Sequence, residues 1–573
     1  MGLRANVVYF FLFQGLFFFL QVFIFYPCYQ IYNRETKISD VNEYYSKHGE
    51  NRIKDEPLPG ADKSKPKSLP TVNHEQYQNG KYNQHEKGSS KEKEDDDNVT
   101  DRQNEDMKMD DGAKVKEKIE PDAHYKPTWE SLEQRPVPVW FQDAKIGIFI
   151  HWGVFSVPSF VGTGTKGYAE WFWLYWRDPL NYKSPPALSV QEYVNKTYAP
   201  TFKYTDFASK FKAEFYDPNH WADVFKASGA RYVVLTSKHH EGYTLWKSKY
   251  SNNWNAEDIG PRRNLIDGLS KAVKEKTDLK FGLYYSLYEW FNPRFEEDMK
   301  GNFSSQEYVA HKVTPDLHTL VNTYKPEIVW ADGYGKAPSS YWNATNFIAW
   351  LYNKSPVKDT VVTNDRWGTD AMCKHGGYLT CSDRFNPGKH GHKMAGMWEN
   401  CMTIDKESWG YRRNARFAHH FTMPELLLLL AQTISYGGNL LMNIGPTADG
   451  MIPPLQEERL LQLGSWLRVN REAVYGTRAC HQQQDQADKS VYFTCKEETV
   501  YAIITRWPDE DKLQLASPKH SKSTKVTLLG YSEALHFEKS GGTTGLAVIL
   551  PSFTPSSLPC KWAWVLRLDE VNL

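Results

Sequence analysis

The 573-residue sequence has only 7 cysteines, too few for a fold held together mainly by disulfides. Cys373, Cys381 and Cys401 lie close along the chain, and Cys480 and Cys495 form a second close group. An oxidising compartment allows bridges in both places, while the spacing leaves their connectivity open.

An excess of charge of either sign is also absent, because 69 Lys and Arg balance 69 Asp and Glu. A neutral chain does not attract polyanions, so we expect no nucleic-acid partner. CxxC pairs, HExxH and the GxSxG elbow are missing as well. His239 and His240 are adjacent, and neighbouring strand residues point to opposite faces, so they do not share one ion. We therefore expect no metal, no cofactor and no serine-hydrolase chemistry.

Aromatic residues, by contrast, are abundant, with 20 Trp, 34 Tyr and 29 Phe. Flat aromatic rings stack on the apolar faces of sugars, and they also pack protein cores. The composition alone does not separate these two uses.

A long apolar run occurs at the N-terminus, over residues 7–26. It is long enough to cross a bilayer, and no small-x-small cleavage pattern follows it. We predict that residues 1–30 form a signal-anchor or a cleaved signal peptide. Either kind of segment places the rest of the chain in the secretory pathway, where the mature protein is lysosomal or extracellular. A signal-anchor would in addition tether the protein to a membrane through residues 7–26. The glycosylation sequons fit this location; they begin at Asn98, Asn195, Asn302, Asn343 and Asn353.

Residues 31–121 are charged and polar, with few large apolar side chains. Such a segment cannot bury enough surface to fold, so we predict a disordered linker. It is either a tether that holds the folded part away from a membrane or an insertion without a role.

Over residues 122–477, short apolar runs alternate with helical stretches, which is typical of a parallel sheet. The most economical fold is a (β/α)8-type barrel. Its strands are expected within residues 145–152, 231–238, 279–286, 327–332, 360–366 and 439–444. Residues 478–573 contain short β runs between polar turns, which predict a C-terminal antiparallel β-sandwich.

Several predicted strands end in a polar residue: His151, the pair His239 and His240, Asp332 and Arg366. The carboxyl ends of barrel strands meet on one face, where barrel enzymes place their active sites. A single Asp after a strand is more often a helix cap than a catalyst. The combination of His, Asp and Arg at the same face indicates a catalytic site.

Eight sequence blocks, in order from about residue 127 to the C-terminus, resemble the α-L-fucosidases of glycoside hydrolase family 29, most closely the animal lysosomal and secreted enzymes. The blocks are Phe149-Ile-His-Trp-Gly-Val-Phe-Ser, Glu170-Trp-Phe-Trp, Lys238-His-His-Glu-Gly, Gly282-Leu-Tyr-Tyr-Ser, Trp330-Ala-Asp-Gly, Asn364-Asp-Arg-Trp-Gly, Trp409-Gly-Tyr-Arg-Arg and Gly437-Gly-Asn-Leu-Leu-Met-Asn-Ile-Gly-Pro.

The resemblance implies a retaining exo-glycosidase that removes terminal α-L-fucose from glycoproteins, glycolipids or oligosaccharides through a covalent fucosyl-enzyme. It places the nucleophile at Asp332 and the acid/base at Asp383, with Glu399 as the runner-up. It also implies a fucose pocket, whose members are His151, Glu170, Trp171, His239, His240, Tyr284, Arg366 and Trp398. Trp171 or Trp398 is expected to form the apolar wall for the methyl group of fucose.

The sequence departs from the animal enzymes after the nucleophile, where Tyr334-Gly335 replaces the usual Glu-Trp. A change in this loop allows an altered leaving-group preference, or a fucose-binding surface protein with weakened catalysis. A structural cell-surface protein with an incidental barrel is a third reading, which the pocket residues disfavour. Fucosylated glycans are the expected partners; the preferred linkage and a homo-oligomeric state are left open.

Overall fold

The computed structural model describes residues 124–177, 184–540 and 545–573. The predictions for residues 1–30 and 31–121, including the membrane tether and the sequon at Asn98, therefore lie outside the described residues. Within the described ranges, no helix is long and apolar enough to cross a membrane.

Seven parallel strands form the central sheet, in the order β5-β4-β3-β2-β1-β7-β6. Strand β2 is rich in β-branched residues and buried along its whole length, as expected of a strand covered on both faces. The bounds are β1 Ile146–Ile150, β2 Tyr232–Lys238, β3 Lys280–Ser286, β4 Ile328–Asp332, β5 Val362–Thr363, β6 Glu399–Thr403 and β7 Asn439–Ile444.

The gap between the edge strands β5 and β6 is bridged by an irregular extended segment. On one side, Tyr378 N donates to Thr363 O at 3.3 Å. On the other, Leu379 N donates to Met397 O at 3.0 Å, and Glu399 N donates to Leu379 O at 2.8 Å. This segment occupies the eighth strand position, and the predicted (β/α)8-type fold is confirmed.

Several of the helices begin at a residue whose side chain caps the first turn. The helix Met423–Ser435 begins with a capping box, in which Thr422 N donates to Glu425 Oε2 at 2.8 Å, and Pro424 lies in its first turn. The helices are α1 Trp129–Leu132, α2 Val139–Ala144, α3 Phe172–Arg177, α4 Pro185–Thr197, α5 Pro218–Ala227, α6 Leu265–Lys276, α7 Pro293–Lys300, α8 Thr314–Tyr324, α9 Ala344–Asn353, α10 Met423–Ser435 and α11 Pro454–Asn470.

The first described residues are held against the end of α9. The Asn353 side chain accepts from Tyr125 N at 2.9 Å and donates to Tyr125 O at 2.8 Å. These two bonds join positions 228 residues apart in the sequence, so they fix the chain where it enters the barrel.

The C-terminal part contains two antiparallel sheets, of six and three strands, around a hydrophobic core of their own. A disulfide joins Cys480 to Cys495 between neighbouring strands. The predicted C-terminal β architecture is thus confirmed. The strands are β8 Arg478–Gln484, β9 Val491–Lys496, β10 Thr499–Ile504, β11 Lys512–Leu515, β12 Lys519–Leu528, β13 Ala534–Leu535, β14 Phe537–Lys539, β15 Leu546–Ile549 and β16 Trp564–Asn572.

Candidate active site

The polar strand ends converge on one cavity of about 190 Å³. It is smaller than the roughly 300–1,000 Å³ of sites for drug-sized ligands, so it suits a single small ring. Nine of the residues predicted from the sequence line it: His151, Glu170, Trp171, His239, His240, Tyr284, Asp332, Arg366 and Asp383.

Asp332 is the last residue of β4, and its carboxylate is surrounded by donors from the neighbouring strands. Tyr284 OH donates to Asp332 Oδ2 at 2.8 Å, and His240 Nε2 lies 3.7 Å from the same oxygen. Arg366 Nη1 lies 3.6 Å from Oδ1. Burial raises the pKa of Asp332 to about 6, while Arg366 and the Tyr284 hydroxyl oppose that rise. The carboxylate is therefore ionised near neutral pH and held in one orientation.

We expect Tyr284→Phe to move the acid limb of the kcat/KM profile to higher pH, because the hydroxyl that stabilises ionised Asp332 is lost. Below the pKa of Asp332 its carboxyl is protonated, so the variant loses activity first at the acidic end. The measurement is kcat/KM against pH with an aryl α-L-fucoside.

The matched control is Tyr285→Phe, because the Tyr285 hydroxyl bonds Asp316 Oδ2 at 3.1 Å, outside the cavity. Its acid limb should stay where it is in the parent enzyme. If the two variants had identical acid limbs in their kcat/KM profiles, the acid limb would not reflect the ionisation of Asp332.

Asp383 follows the bridging segment, three residues beyond Thr380, and a third of its side chain is exposed to the cavity mouth (33%). Arg366 Nη1 donates to Asp383 Oδ1 at 2.8 Å. The same Nη1 atom lies 3.6 Å from Asp332 Oδ1. The distance between Asp332 Oδ1 and Asp383 Oδ1 therefore cannot exceed the sum of these two N–O distances. That bound is compatible with the roughly 5–5.5 Å between the carboxyl groups of retaining glycosidases.

Arg366 is itself fixed by its surroundings. Its Nε donates to Thr380 Oγ1 at 2.9 Å, and its guanidinium lies 4.7 Å from the Trp330 ring centre and 4.9 Å from that of Tyr334. These contacts with two aromatic rings help to position a guanidinium that lies beside two carboxylates.

Glu399, the runner-up for the acid/base, does not line the cavity. It is the first residue of β6, so it enters the barrel at the amino ends of the strands rather than at the catalytic face. Tyr232 OH and Trp330 Nε1 donate to its two oxygens at 2.6 and 2.9 Å. Burial raises the pKa of Glu399 to about 7. Its donors are core residues, which indicates a structural role inside the barrel.

The prediction that Trp398 belongs to the pocket also needs correction, because its ring is fully buried elsewhere. Trp398 Nε1 donates to Tyr436 O at 3.1 Å, and the ring fills the space that Gly438 leaves open. Trp171 does line the cavity, and Trp409 lines it from another side. Trp171, Trp330 and Trp409 therefore present aromatic surface to the cavity.

The three cavity histidines are buried and neutral. Burial lowers the pKa of His151 and of His239 to about 3, and it holds the pKa of His240 well below its usual range. His151 Nδ1 lies 2.7 Å from Asn443 Oδ1, and His240 Nδ1 lies 2.7 Å from Ser286 Oγ. In His151 the ring nitrogen that is not bonded to Asn443 can donate to or accept from a hydroxyl group, whereas Nε2 of His240 already has a neighbour in Tyr288 OH at 3.2 Å.

Glu170 adds a carboxyl group of which only one oxygen is hydrogen-bonded within the described residues. Gly410 N and Ser408 Oγ donate to Glu170 Oε2 at 2.9 and 3.0 Å, while Oε1 is buried without a hydrogen-bond partner among the described residues. Burial raises the pKa of Glu170 to about 7. A ligand hydroxyl group would supply the missing partner.

Sequence reasoning missed several lining residues, among them Tyr288, Lys336, Cys401 and Trp409. Tyr288 lies four residues after Tyr284, just past the end of β3, and its OH lies 3.2 Å from His240 Nε2. Trp409 lies within a block that showed the family resemblance, which was a usable signal. Cys401 had none, because the strand that carries it was not predicted.

Two family models match the chain in succession. The model of the α-L-fucosidases covers residues 113–472, and that of the α-L-fucosidase C-terminal domain covers residues 483–569.

The known relatives align with this chain over nearly their whole length. The plasma α-L-fucosidase of Homo sapiens is 52% identical over 78% of this chain and 93% of its own. The tissue α-L-fucosidase of Homo sapiens is 45% identical over 79% and 94%, respectively. Among solved structures, the Thermotoga maritima α-fucosidase in complex with fucose is 34% identical, with a TM-score of 0.66, over 78% of this chain and 100% of that one.

Proposed function

The chain belongs to the α-L-fucosidases of glycoside hydrolase family 29, and on that premise we propose that it removes terminal α-L-fucose by double displacement, with Asp332 as nucleophile and Asp383 as acid/base. The observation that carries this proposal is the placement of both carboxylates on one cavity, beside a single nitrogen of Arg366. Such a pair is what retaining glycoside hydrolysis requires.

In the first step, an oxygen of ionised Asp332 attacks the anomeric carbon of fucose. Asp383 gives its proton to the glycosidic oxygen, which leaves with the electron pair of the broken C–O bond. The products are the free acceptor alcohol and a fucosyl ester on Asp332. Tyr284 and Arg366 hold Asp332 in the orientation for attack.

In the second step, Asp383 takes a proton from water while the water oxygen attacks the same carbon. The ester bond breaks, its electrons return to Asp332, and fucose leaves with its original anomeric configuration. Because Asp383 is partly exposed at the cavity mouth, water can reach it once the acceptor has left.

We assign recognition of the sugar to the neutral histidines, Glu170 and the two tryptophans. The histidines and the free Oε1 of Glu170 supply donors and acceptors for the hydroxyl groups. Trp171 and Trp409 supply apolar surface for the 6-methyl group, whose burial is favourable by roughly 0.8 kcal/mol per carbon. Nothing in the described residues favours the alternative of a fucose-binding surface protein with weakened catalysis.

The proposal is tested by trapping the covalent intermediate with a 2-deoxy-2-fluoro-fucosyl fluoride. The fluorine slows both steps, and the activated leaving group lets the first step proceed, so the fucosyl-enzyme accumulates. We expect one added fluorofucosyl mass, and peptide mapping should place it on Asp332. Labelling of another carboxylate would overturn the assignment.

We also propose that the enzyme works outside the cytosol, secreted or in lysosomes. The plasma and tissue relatives support this location, as do the disulfides Cys373–Cys381 and Cys480–Cys495, which persist in oxidising compartments. The start of β8 at Arg478 supports the division between residues 122–477 and 478–573. The tether through residues 7–26 and a homo-oligomeric state stay predictions.

A further inference from the structure

A second concave surface lies beside the fucose cavity, with a volume of about 340 Å³. Its floor is largely apolar and aromatic, and Trp290, Phe291 and Phe295 contribute to it. Lys336 lines both this groove and the fucose cavity, so the two spaces meet at that residue.

The groove lies where the rest of a glycan has to go. The cavity holds one sugar, so every further sugar extends out through the mouth, where Lys336 is found only four residues beyond Asp332. Trp290 forms the partition: its ring centre lies 5.2 Å from that of His240 and 5.6 Å from that of Trp171, both of which line the cavity. A sugar chain that leaves the mouth on this side meets the groove first.

The polar residues of the groove are mostly cationic. Among the described residues that line it, Arg177, Lys300 and Lys336 are cationic, and Glu296 alone is acidic. Among the residues that the structure describes, no carboxylate lies within 4.0 Å of any of the three cations. Burial lowers the pKa of Lys336, with no acidic neighbour to offset that effect.

Arg177 packs against an aromatic ring of the groove. Its guanidinium lies 4.4 Å from the ring centre of Phe291, so the fork is supported on one side by an aromatic surface. A guanidinium held in this way offers two parallel N–H donors to a carboxylate.

We propose that this groove is the leaving-group subsite, and that it selects fucosides whose neighbouring sugars carry a carboxylate, as sialylated oligosaccharides do. Arg177 and Lys300 bind the carboxylate, Lys336 guides the chain out of the mouth, and Trp290 and Phe291 support the sugar faces. The inference rests on the proposed function, because it assigns the acceptor side of the same reaction.

The test compares kcat/KM for a fucosylated oligosaccharide with and without its sialic acid, using the full-length enzyme. At low ionic strength we expect a preference of roughly three- to tenfold for the sialylated substrate. The preference should shrink at high salt, because exposed charge pairs are screened. In the double variant Arg177→Gln with Lys300→Gln, it should fall roughly three- to fivefold. Glu296→Gln should increase it, because the opposing charge is gone.

The matched control is Lys271→Gln with Arg506→Gln, two exposed cations outside the groove, which removes the same charge. It should keep the parent preference, and all variants should keep parent activity on an aryl α-L-fucoside, whose small leaving group does not reach the groove. Equal rates for the two oligosaccharides at low salt, or a preference unchanged in the double variant, overturns the inference. A parent enzyme inactive on the aryl fucoside would instead overturn the proposed function.

Discussion

Asp332→Gly is expected to lower kcat for an aryl α-L-fucoside by roughly 10⁴- to 10⁶-fold, the range seen when a catalytic nucleophile is removed. The reason is geometric as well as chemical. Asp332 lies at the end of β4 among Tyr284, His240 and Arg366; Asp383 shares only Arg366 with it. Binding should be largely kept, because the remaining cavity residues are unchanged.

Sodium azide should restore part of the activity of this variant. Glycine leaves room on the nucleophile's side of the sugar, so azide can attack the anomeric carbon and displace an activated leaving group. A single displacement inverts the configuration, and the product is therefore a β-L-fucosyl azide, which is identified by NMR. Rescue with retained configuration, or undiminished turnover without azide, would contradict the role of Asp332.

Asp316→Asn provides the control for loss of a buried acid. Asp316 binds Lys312 at 3.0 Å and Ser248 at 2.6 Å, away from the cavity. We expect this variant to have a lower Tm, because Lys312 loses the nearer of its two carboxylate partners, while its kcat stays within a few-fold of the parent value.

Asp383→Asn should produce the second large effect, a loss of roughly 10²- to 10⁴-fold on natural fucosides. Their sugar leaving groups need a proton, whereas an activated aryl oxide leaves without one. The first step with an activated fucoside should therefore suffer much less, which pre-steady-state release of the phenol measures. A steep dependence of rate on leaving-group pKa in Asp383→Asn, absent from the parent, is the signature.

Glu399→Gln separates the two acid/base candidates. Glutamine keeps the shape of Glu399 and can still bond Tyr232 and Trp330. Because these are bonds of the core, we expect Glu399→Gln to change the Tm. Its rate should depend on the leaving group in the same way as that of the parent enzyme. If Glu399→Gln showed the steep dependence and Asp383→Asn did not, the acid/base role would belong to Glu399.

Much of the barrel was predictable because its strands are apolar on consecutive residues. The run at β2 and the run ending at Asp332 satisfy this pattern, and the structure places both in the sheet. Strand β6, Glu399–Thr403, was not predicted, since Glu, Asn and Thr dilute its apolar character. The bridging segment around Leu379 was missed for a related reason: it makes only scattered ladder bonds.

The site was predictable where a residue follows a recognisable strand, as Asp332 and His151 do. Glu399 and Trp398 show the limit of that reasoning. Both lie in a block with acidic and aromatic character, but Glu399 begins its strand instead of ending it. The distance of a residue from the catalytic face depends on strand bounds, and those bounds are the least certain part of a prediction from sequence.

On the proposed route through the secretory pathway, the attachment of Tyr125 to Asn353 has a consequence for maturation. Asn353 begins an Asn-Lys-Ser sequon, and its amide nitrogen is the atom that an oligosaccharide would modify. That nitrogen already donates to Tyr125 O. Glycan occupancy at Asn353 and closure of the entering chain onto α9 thus compete for one atom, whereas Asn195 on α4 is exposed and free of this conflict. Closure of the entering chain before modification would therefore leave Asn353 unglycosylated.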